Sequence, residues 1–395
     1  MTRATATWWH FRTARRSSGA FAALVLVVVL SVAAGLSCPR TALAAEETKT
    51  VSIRDALGRE QAVPLHPERV LCSGSGCLRL LVYLGAQDRV VAVDSIEHRT
   101  GVADARPYAV ANPQFRDLPL FGEFRGQDNP ELIAGLDPQP QLIFKTYSES
   151  GYDAVQLQEK TGIPVVVLDY GDLGRNRGAF YETLRLMGTV LGVEERAEAV
   201  IRFFEEAIAD LMRRAGDVPE AERRSCYVGG IGSRGTHGFQ STEPGYPPFL
   251  FLSARNVAAD PARGDKQLRQ ADIAKEQLLL WDPELVFLDL GTLGSGKEVN
   301  GLIELRTDPV YRSLSAVSGG DVYGVLPYNS YTTNYGSVLA DAYFIGTVLY
   351  PDRFADVRPE AKADEIYTFL VGKPLFAQLD EAFEGLVFKK IPLEE

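Results

Sequence analysis

Apolar residues at 197, 200, 201, 204, 208, 211 and 212 repeat every three or four positions through residues 193–215, VEERAEAVIRFFEEAIADLMRRA. That spacing puts one buried stripe on one side of an uninterrupted helix. Gly192 ends the preceding element, because glycine readily takes the left-handed cap. Glu194 and Glu195 fall in the first turn and Arg213 and Arg214 in the last, each complementing the helix dipole. At 1.5 Å per residue the helix would run about 34 Å, the width of a small domain.

On both sides of it the pattern switches between short apolar runs and helical periods. Residues 50–63 alternate around Leu57-Gly58-Arg59, a hairpin signal. Strands are predicted at 70–72, 90–94, 141–144 and 165–168, with helices at 77–84, 131–136, 153–161 and 180–191. After the central helix the alternation restarts. Strands are predicted at 225–228, 285–288 and 322–325, and helices at 275–281, 309–316, 338–349 and 364–370. Strand, turn, helix, strand is the grammar of a parallel α/β domain.

The two halves share a signature. Glu131 through Asp137-Pro138 runs into Leu142-Ile143-Phe144, and Glu276 through Asp282-Pro283 runs into Leu285-Val286-Phe287. Each is a Glu-led helix, an Asp-Pro stop and an apolar strand. The pattern predicts two α/β lobes joined by a single long rigid helix, with a ligand cleft between the lobes. The expected division is 45–192, the helix 193–215, and 216–395. In such lobes ligands sit where loops converge at the carboxyl ends of strands.

The first 44 residues differ. Arg3, Arg12, Arg15 and Arg16 precede the apolar run 20–36, and Ala42-Leu43-Ala44 supplies an A-x-A site. This reads as an export signal cut after Ala44. Retention as a membrane anchor and lipidation of Cys38 are the alternatives. Residues 1–44 hold five of the 41 Lys and Arg, leaving 36 against 52 Asp and Glu, a charge of −16. So acidic a chain is a poor nucleic-acid binder. Cys72, Cys77 and Cys226 remain after export. An odd count does not describe a disulfide framework, although Cys72 and Cys77 are near enough in sequence to pair.

Several of these stretches together resemble a family: Asp55-Ala56-Leu57-Gly58-Arg59, His66-Pro67-Glu68-Arg69-Val70, Asn129-Pro130-Glu131 with Asp137-Pro138, Lys275-Glu276-Gln277 with Asp282-Pro283, and Thr333-Asn334-Tyr335. Over roughly residues 50–380 the chain resembles the periplasmic solute-binding proteins of ABC importers for iron–siderophore, haem and vitamin B12. The resemblance implies two lobes bridged by a rigid helix and a monomeric, non-enzymatic receptor with no cofactor of its own. It also implies that surface glutamates, here Glu131 and Glu276, dock the lobes onto a permease dimer. An exposed carboxylate on each lobe can pair with an arginine and fix the docking register.

Ligand-facing candidates follow from the predicted strand ends: Ser75, Arg99, Lys145, Tyr147 and Tyr170 in the first lobe, and His237, Tyr246, Tyr328, Tyr331 and Tyr335 in the second. Tyrosines give flat contact area with a hydroxyl, which suits a macrocycle or chelate. Lys145, Arg99 and Arg234 suit carboxylates or an anionic iron chelate. Tyrosine or His237 could ligate haem iron. Two other functional classes stay in view. Ser73-Gly74-Ser75-Gly76-Cys77 is similar to a nucleophile elbow, so an exported hydrolase using Ser75 is one, although the flanking glycines are misplaced. A bare-metal receptor is the other, disfavoured because only His66, His98 and His237 remain after export.

Overall fold

The computed structural model describes residues 49–394, except 100–102, 150, 265 and 296–299. The predicted export signal and Cys38 lie outside the described residues.

Two parallel sheets organise the chain. The first has Val70–Ser73, Leu142–Thr146 and Val165–Leu168 side by side in that order. Every residue of these three strands is buried, as expected where helices cover both faces. The second sheet places Ser225–Gly229 between Arg255–Asn256 and Leu285–Asp289, with Val322–Val325 beyond. A hairpin, Thr50–Arg54 against Glu60–Pro64, opens the described chain. It is tied to the first sheet by Arg59, which bonds both Asp55 and the Val165 carbonyl.

Between the sheets in sequence runs the helix Glu194–Ala215. Gly192 caps the preceding helix, Arg177–Leu191, at φ 69, a conformation glycine takes without steric cost. Ala197, Val200, Ile201, Phe204, Ile208 and Leu211 are buried as the periodicity predicts. Met212 is the exception, at 53% exposed. The stripe drifts around a straight helix and leaves Met212 on its edge, facing the cleft described below. The ring of Phe204 meets Tyr83, Phe180 and Tyr335, so the helix core is shared with elements from both halves.

The repeat is present as predicted in element type. Pro130–Ala134 and Lys275–Trp281 are short helices that each precede a buried strand. Three predictions needed revision. The run 309–316 breaks at Ser313 into Pro309–Arg312 and Ser315–Ser318. The Tyr-Pro-Pro stretch, which lies outside the predicted helices and strands, forms a helical turn, Pro247–Phe251, since proline is accommodated in a first turn. Helices at Gly301–Thr307 and Phe376–Ala382 were not anticipated. Among the described residues no helix is long and apolar enough to cross a membrane. Cys72, Cys77 and Cys226 are free and buried.

Candidate functional site

Loops leaving the carboxyl ends of both sheets enclose a cavity of about 1100 Å³. From the first lobe come Ser75, the segment around Phe124, Tyr147 and residues 172–177; from the second come residues 232–236, Gly291 and residues 327–333. These are the segments that strand ends predict.

The wall at 327–333 is held from below. Arg79, on the helix Cys77–Tyr83, is fully buried. It donates to the carbonyls of Ser330, Tyr331 and Thr333 at 3.0, 3.3 and 2.9 Å. Gly76 stands just before that helix at φ 80, and a Cβ there would lie 2.4 Å from the Tyr170 ring. Only glycine lets the loop, the ring and the buried guanidinium converge.

Of the residues predicted to face ligand, Ser75, Arg99, Tyr147, Tyr328 and Tyr331 line the cavity. Arg99 lies over the Phe124 ring, 4.2 Å from its centroid. Tyr147 shares a hydrogen bond with the Thr332 hydroxyl at 2.9 Å. The Tyr331 hydroxyl donates to Asp94 and accepts from the Arg125 amide. Burial pushes Asp94 up to about 7, so near neutrality this hydrogen bond joins a phenol to a carboxyl that is partly protonated.

The other predicted contacts are corrected by their surroundings. Lys145 is fully buried, and its ammonium donates to Asp128 at 2.6 Å, Ser73 at 3.1 Å and the Gly126 carbonyl at 3.2 Å. All three protons are committed inside the first lobe, which leaves none for a ligand. Tyr170 is buried, accepting from Arg79 and donating to the Thr333 carbonyl. Tyr335 stacks on Tyr170 and donates to its carbonyl. Tyr246 is buried edge-on to Tyr328, and only its neighbours Gly245 and Pro247 reach the cavity. His237 turns back to the Ser233 carbonyl at 2.8 Å and does not line the cavity. These aromatic side chains support the wall from behind.

Sequence reasoning missed several lining charges. Arg125, Arg175, Arg177 and Arg269 line the cavity with Arg99 and Arg234. Arg125 adjoins the strand Leu120–Glu123, and Arg175 and Arg177 lie beyond the strand Val165–Leu168, so position past a strand end is the available signal. Asp172, Glu243 and Asp289 are the lining acids. Asp172 pairs with Arg269 at 2.6 Å. Burial drives Glu243 up to about 8 and Asp289 well above its ordinary range, because desolvation disfavours the charged carboxylate.

Among the described residues no histidine hydrogen-bonds Ser75. The rings of His98 and His237 bond the carbonyls of Leu118 and Ser233 instead. Among the described residues no three His, Cys, Asp or Glu are grouped to hold a metal ion. Glu131 and Glu276 are exposed in the first turns of their helices. Asn129 caps the first by accepting from the Glu131 and Leu132 amides.

Comparison with known proteins agrees with this geometry. Residues 70–328 match the model of a family described as periplasmic binding protein. Among solved structures, molybdate-bound MolA of Haemophilus influenzae superposes with a TM-score of 0.63 at 18% identity, over 82% of this chain and 98% of that one. The TroA-like periplasmic binding protein FepB of Veillonella parvula gives 0.56 at 18% identity, over 82% and 97%. The periplasmic heme-binding protein HutB of Vibrio cholerae gives 0.52 at 19%, over 72% and 99%. Among curated proteins no sequence matches. At these identities the neighbours establish the fold: two α/β lobes, one connecting helix and a cleft between.

Proposed function

The chain belongs to the periplasmic binding protein family, and from that premise we propose that it is the exported receptor of an ABC importer, capturing an iron chelate, haem or corrinoid and delivering it to a membrane permease. The observation that carries this reading is the cavity of about 1100 Å³, walled by strand-end loops of both lobes. Its size suits a chelate or macrocycle, since small-molecule sites commonly span roughly 300–1,000 Å³. The family places the protein outside the cytoplasm. We further propose that the signal is cut after Ala44, with Cys38 lipidation or an uncleaved signal as alternatives, and that the mature receptor is a monomer.

In this reading the lobes are 45–192 and 216–395, the helix between them is a strut, and binding involves no turnover. Ser75, Arg99, Tyr147, Tyr328 and Tyr331 are the proposed ligand contacts from the original set. Glu131 and Glu276 are the proposed docking contacts, supported by their exposure at equivalent points of the repeated helix–strand unit. The hydrolase reading has no support in the family match or in the hydrogen bonds around Ser75.

Native mass spectrometry and absorbance of protein purified from its source test the proposal directly. A co-purifying chelate or porphyrin is expected. Intrinsic-fluorescence titration against ferric siderophores, haem and cobalamin should give at least one saturable isotherm. Stoichiometric bare Zn²⁺ or Mn²⁺ with no chelate binding would reject it, as would a turnover activity abolished by Ser75→Ala.

A further inference from the structure

The charge of the cavity is opposite to that of the chain. The whole sequence carries −11, yet six arginines line the cleft: Arg99, Arg125, Arg175, Arg177, Arg234 and Arg269. A guanidinium stays charged at any working pH. Of these six, only Arg269 has a carboxylate of the described residues within ion-pair distance, Asp172. Arg177 satisfies itself on the Leu173 carbonyl. Arg99 and Arg125 both lie against one ring, Phe124, at 4.2 and 5.0 Å. Two guanidiniums gathered around one ring at the cleft are like charges that repel each other.

The backbone contributes to this arrangement. Arg125 and Arg234 hold φ of 65 and 56, the left-handed region that non-glycine residues seldom adopt. Asp172 offsets Arg269, and the other two lining acids, Glu243 and Asp289, are buried in the cavity wall and make no ion pair with the remaining five arginines. Arg99, Arg125, Arg175 and Arg177 come from the first lobe and Arg234 and Arg269 from the second, so one bound anion can satisfy both sides.

We propose that the cleft selects a polyanionic metal chelate, a complex whose peripheral oxygens carry at least two net negative charges, over neutral ferric hydroxamates and corrinoids. This rests on the receptor reading and narrows it to a ligand class. Guanidinium forks match paired carboxylate or catecholate oxygens bidentately. A lone tetrahedral oxyanion would fill only a small part of about 1100 Å³.

The test uses the mature full-length protein and five probes: a ferric tris-catecholate of net charge −3, a neutral ferric trihydroxamate, cyanocobalamin, haemin and molybdate. The tris-catecholate should bind roughly 100-fold tighter than the trihydroxamate, as two charge-assisted contacts of about tenfold each imply. Its affinity should fall steeply between low and high salt, because these arginines are exposed and screened. Arg99→Gln with Arg125→Gln should cost the tris-catecholate roughly 30-fold or more and leave the trihydroxamate unchanged. An unaltered melting temperature would show that the variant folds. Equal or tighter binding of a neutral probe overturns the proposal, as does wild-type binding of the tris-catecholate by the double variant. Binding of molybdate alone overturns the chelate class and leaves standing only the role of importer receptor. Binding of none of the five overturns the receptor reading itself.

Discussion

Removing the Arg79 guanidinium should loosen the cavity wall without emptying the core. Arg79→Met keeps most of the stem and deletes the charge. The carbonyls of Ser330 and Tyr331 then lose their Arg79 donor, the Thr333 carbonyl loses one of two and keeps the Tyr170 hydroxyl, and Tyr170 loses one of its two bonds. Each lost hydrogen bond is worth about 1 kcal/mol net, more where the acceptor stays buried. Deleting a fully buried cation refunds part of its desolvation penalty. The balance is about 3 kcal/mol, concentrated in the segment 330–333. Since 1.4 kcal/mol is a factor of ten, amide exchange in 328–335 should accelerate by roughly 100-fold. Urea unfolding should show a lower midpoint at unchanged slope, and ligand affinity should fall because the wall is no longer preorganised. Arg79→Lys should recover less than half, one ammonium being unable to reproduce the planar fork. Unchanged exchange in 328–335, or a loss below about 1 kcal/mol, would refute the idea that this arginine sets the wall.

Other expectations follow from single features. Burial lifts Glu243 from 4.5 to about 8, so the fold binds this proton more tightly than the unfolded chain does. Its contribution is full below about pH 4.5, declines as pH rises towards 8 and stays lost above that. Glu243→Gln should therefore melt with wild type at pH 4 and distinctly higher at pH 9; a gap that does not widen with pH would contradict a neutral carboxyl. Phe204→Ala should cost about 3–5 kcal/mol, because its fully buried ring joins the strut to Tyr83 and Tyr335; a calorimetric loss under 1 kcal/mol would show that the helix core is not shared. Glu131→Arg with Glu276→Arg should leave ligand affinity intact and abolish transport in a reconstituted importer, and normal uptake would sink the docking assignment.

The sequence made the scaffold legible where one face of an element is buried. The helix Glu194–Ala215 and the strands at 142–146 and 285–289 announce themselves through period and continuous apolarity. The loops of the site were also legible, because parallel topology alone places them at strand ends. Side-chain direction within those loops was not. Lys145 looks like an anion contact until Asp128, from a different element, claims it. Tyr170 and Tyr335 carry the same hydroxyl as Tyr147 and Tyr331, but theirs satisfy carbonyls behind the wall. Nothing local distinguishes the two pairs. Arg125, Arg175, Arg177 and Arg269 escape notice for the converse reason: a charged residue in a loop resembles a solvated surface until the fold brings it beside Arg99 and Arg234 around one space.

The same space gathers the strain. Ten non-glycine residues among those described have positive φ, and five of them line the cavity: Arg125, Tyr147, Arg234, Tyr331 and Thr332. Such residues cost of order 1 kcal/mol or more each and persist only when their surroundings over-determine them. Here the strained residues restrain each other across the cleft. Tyr331 bonds the Arg125 amide, Thr332 bonds Tyr147, and Arg79 clamps the carbonyls between. Wide opening of the lobes would break all of these at once, whereas a slight twist about the strut would preserve them. The free and ligand-bound receptor should therefore give nearly the same radius of gyration in solution scattering. A compaction of several ångströms on binding, the mark of a large hinge closure, would mean that these cross-cleft bonds form only after the ligand has entered.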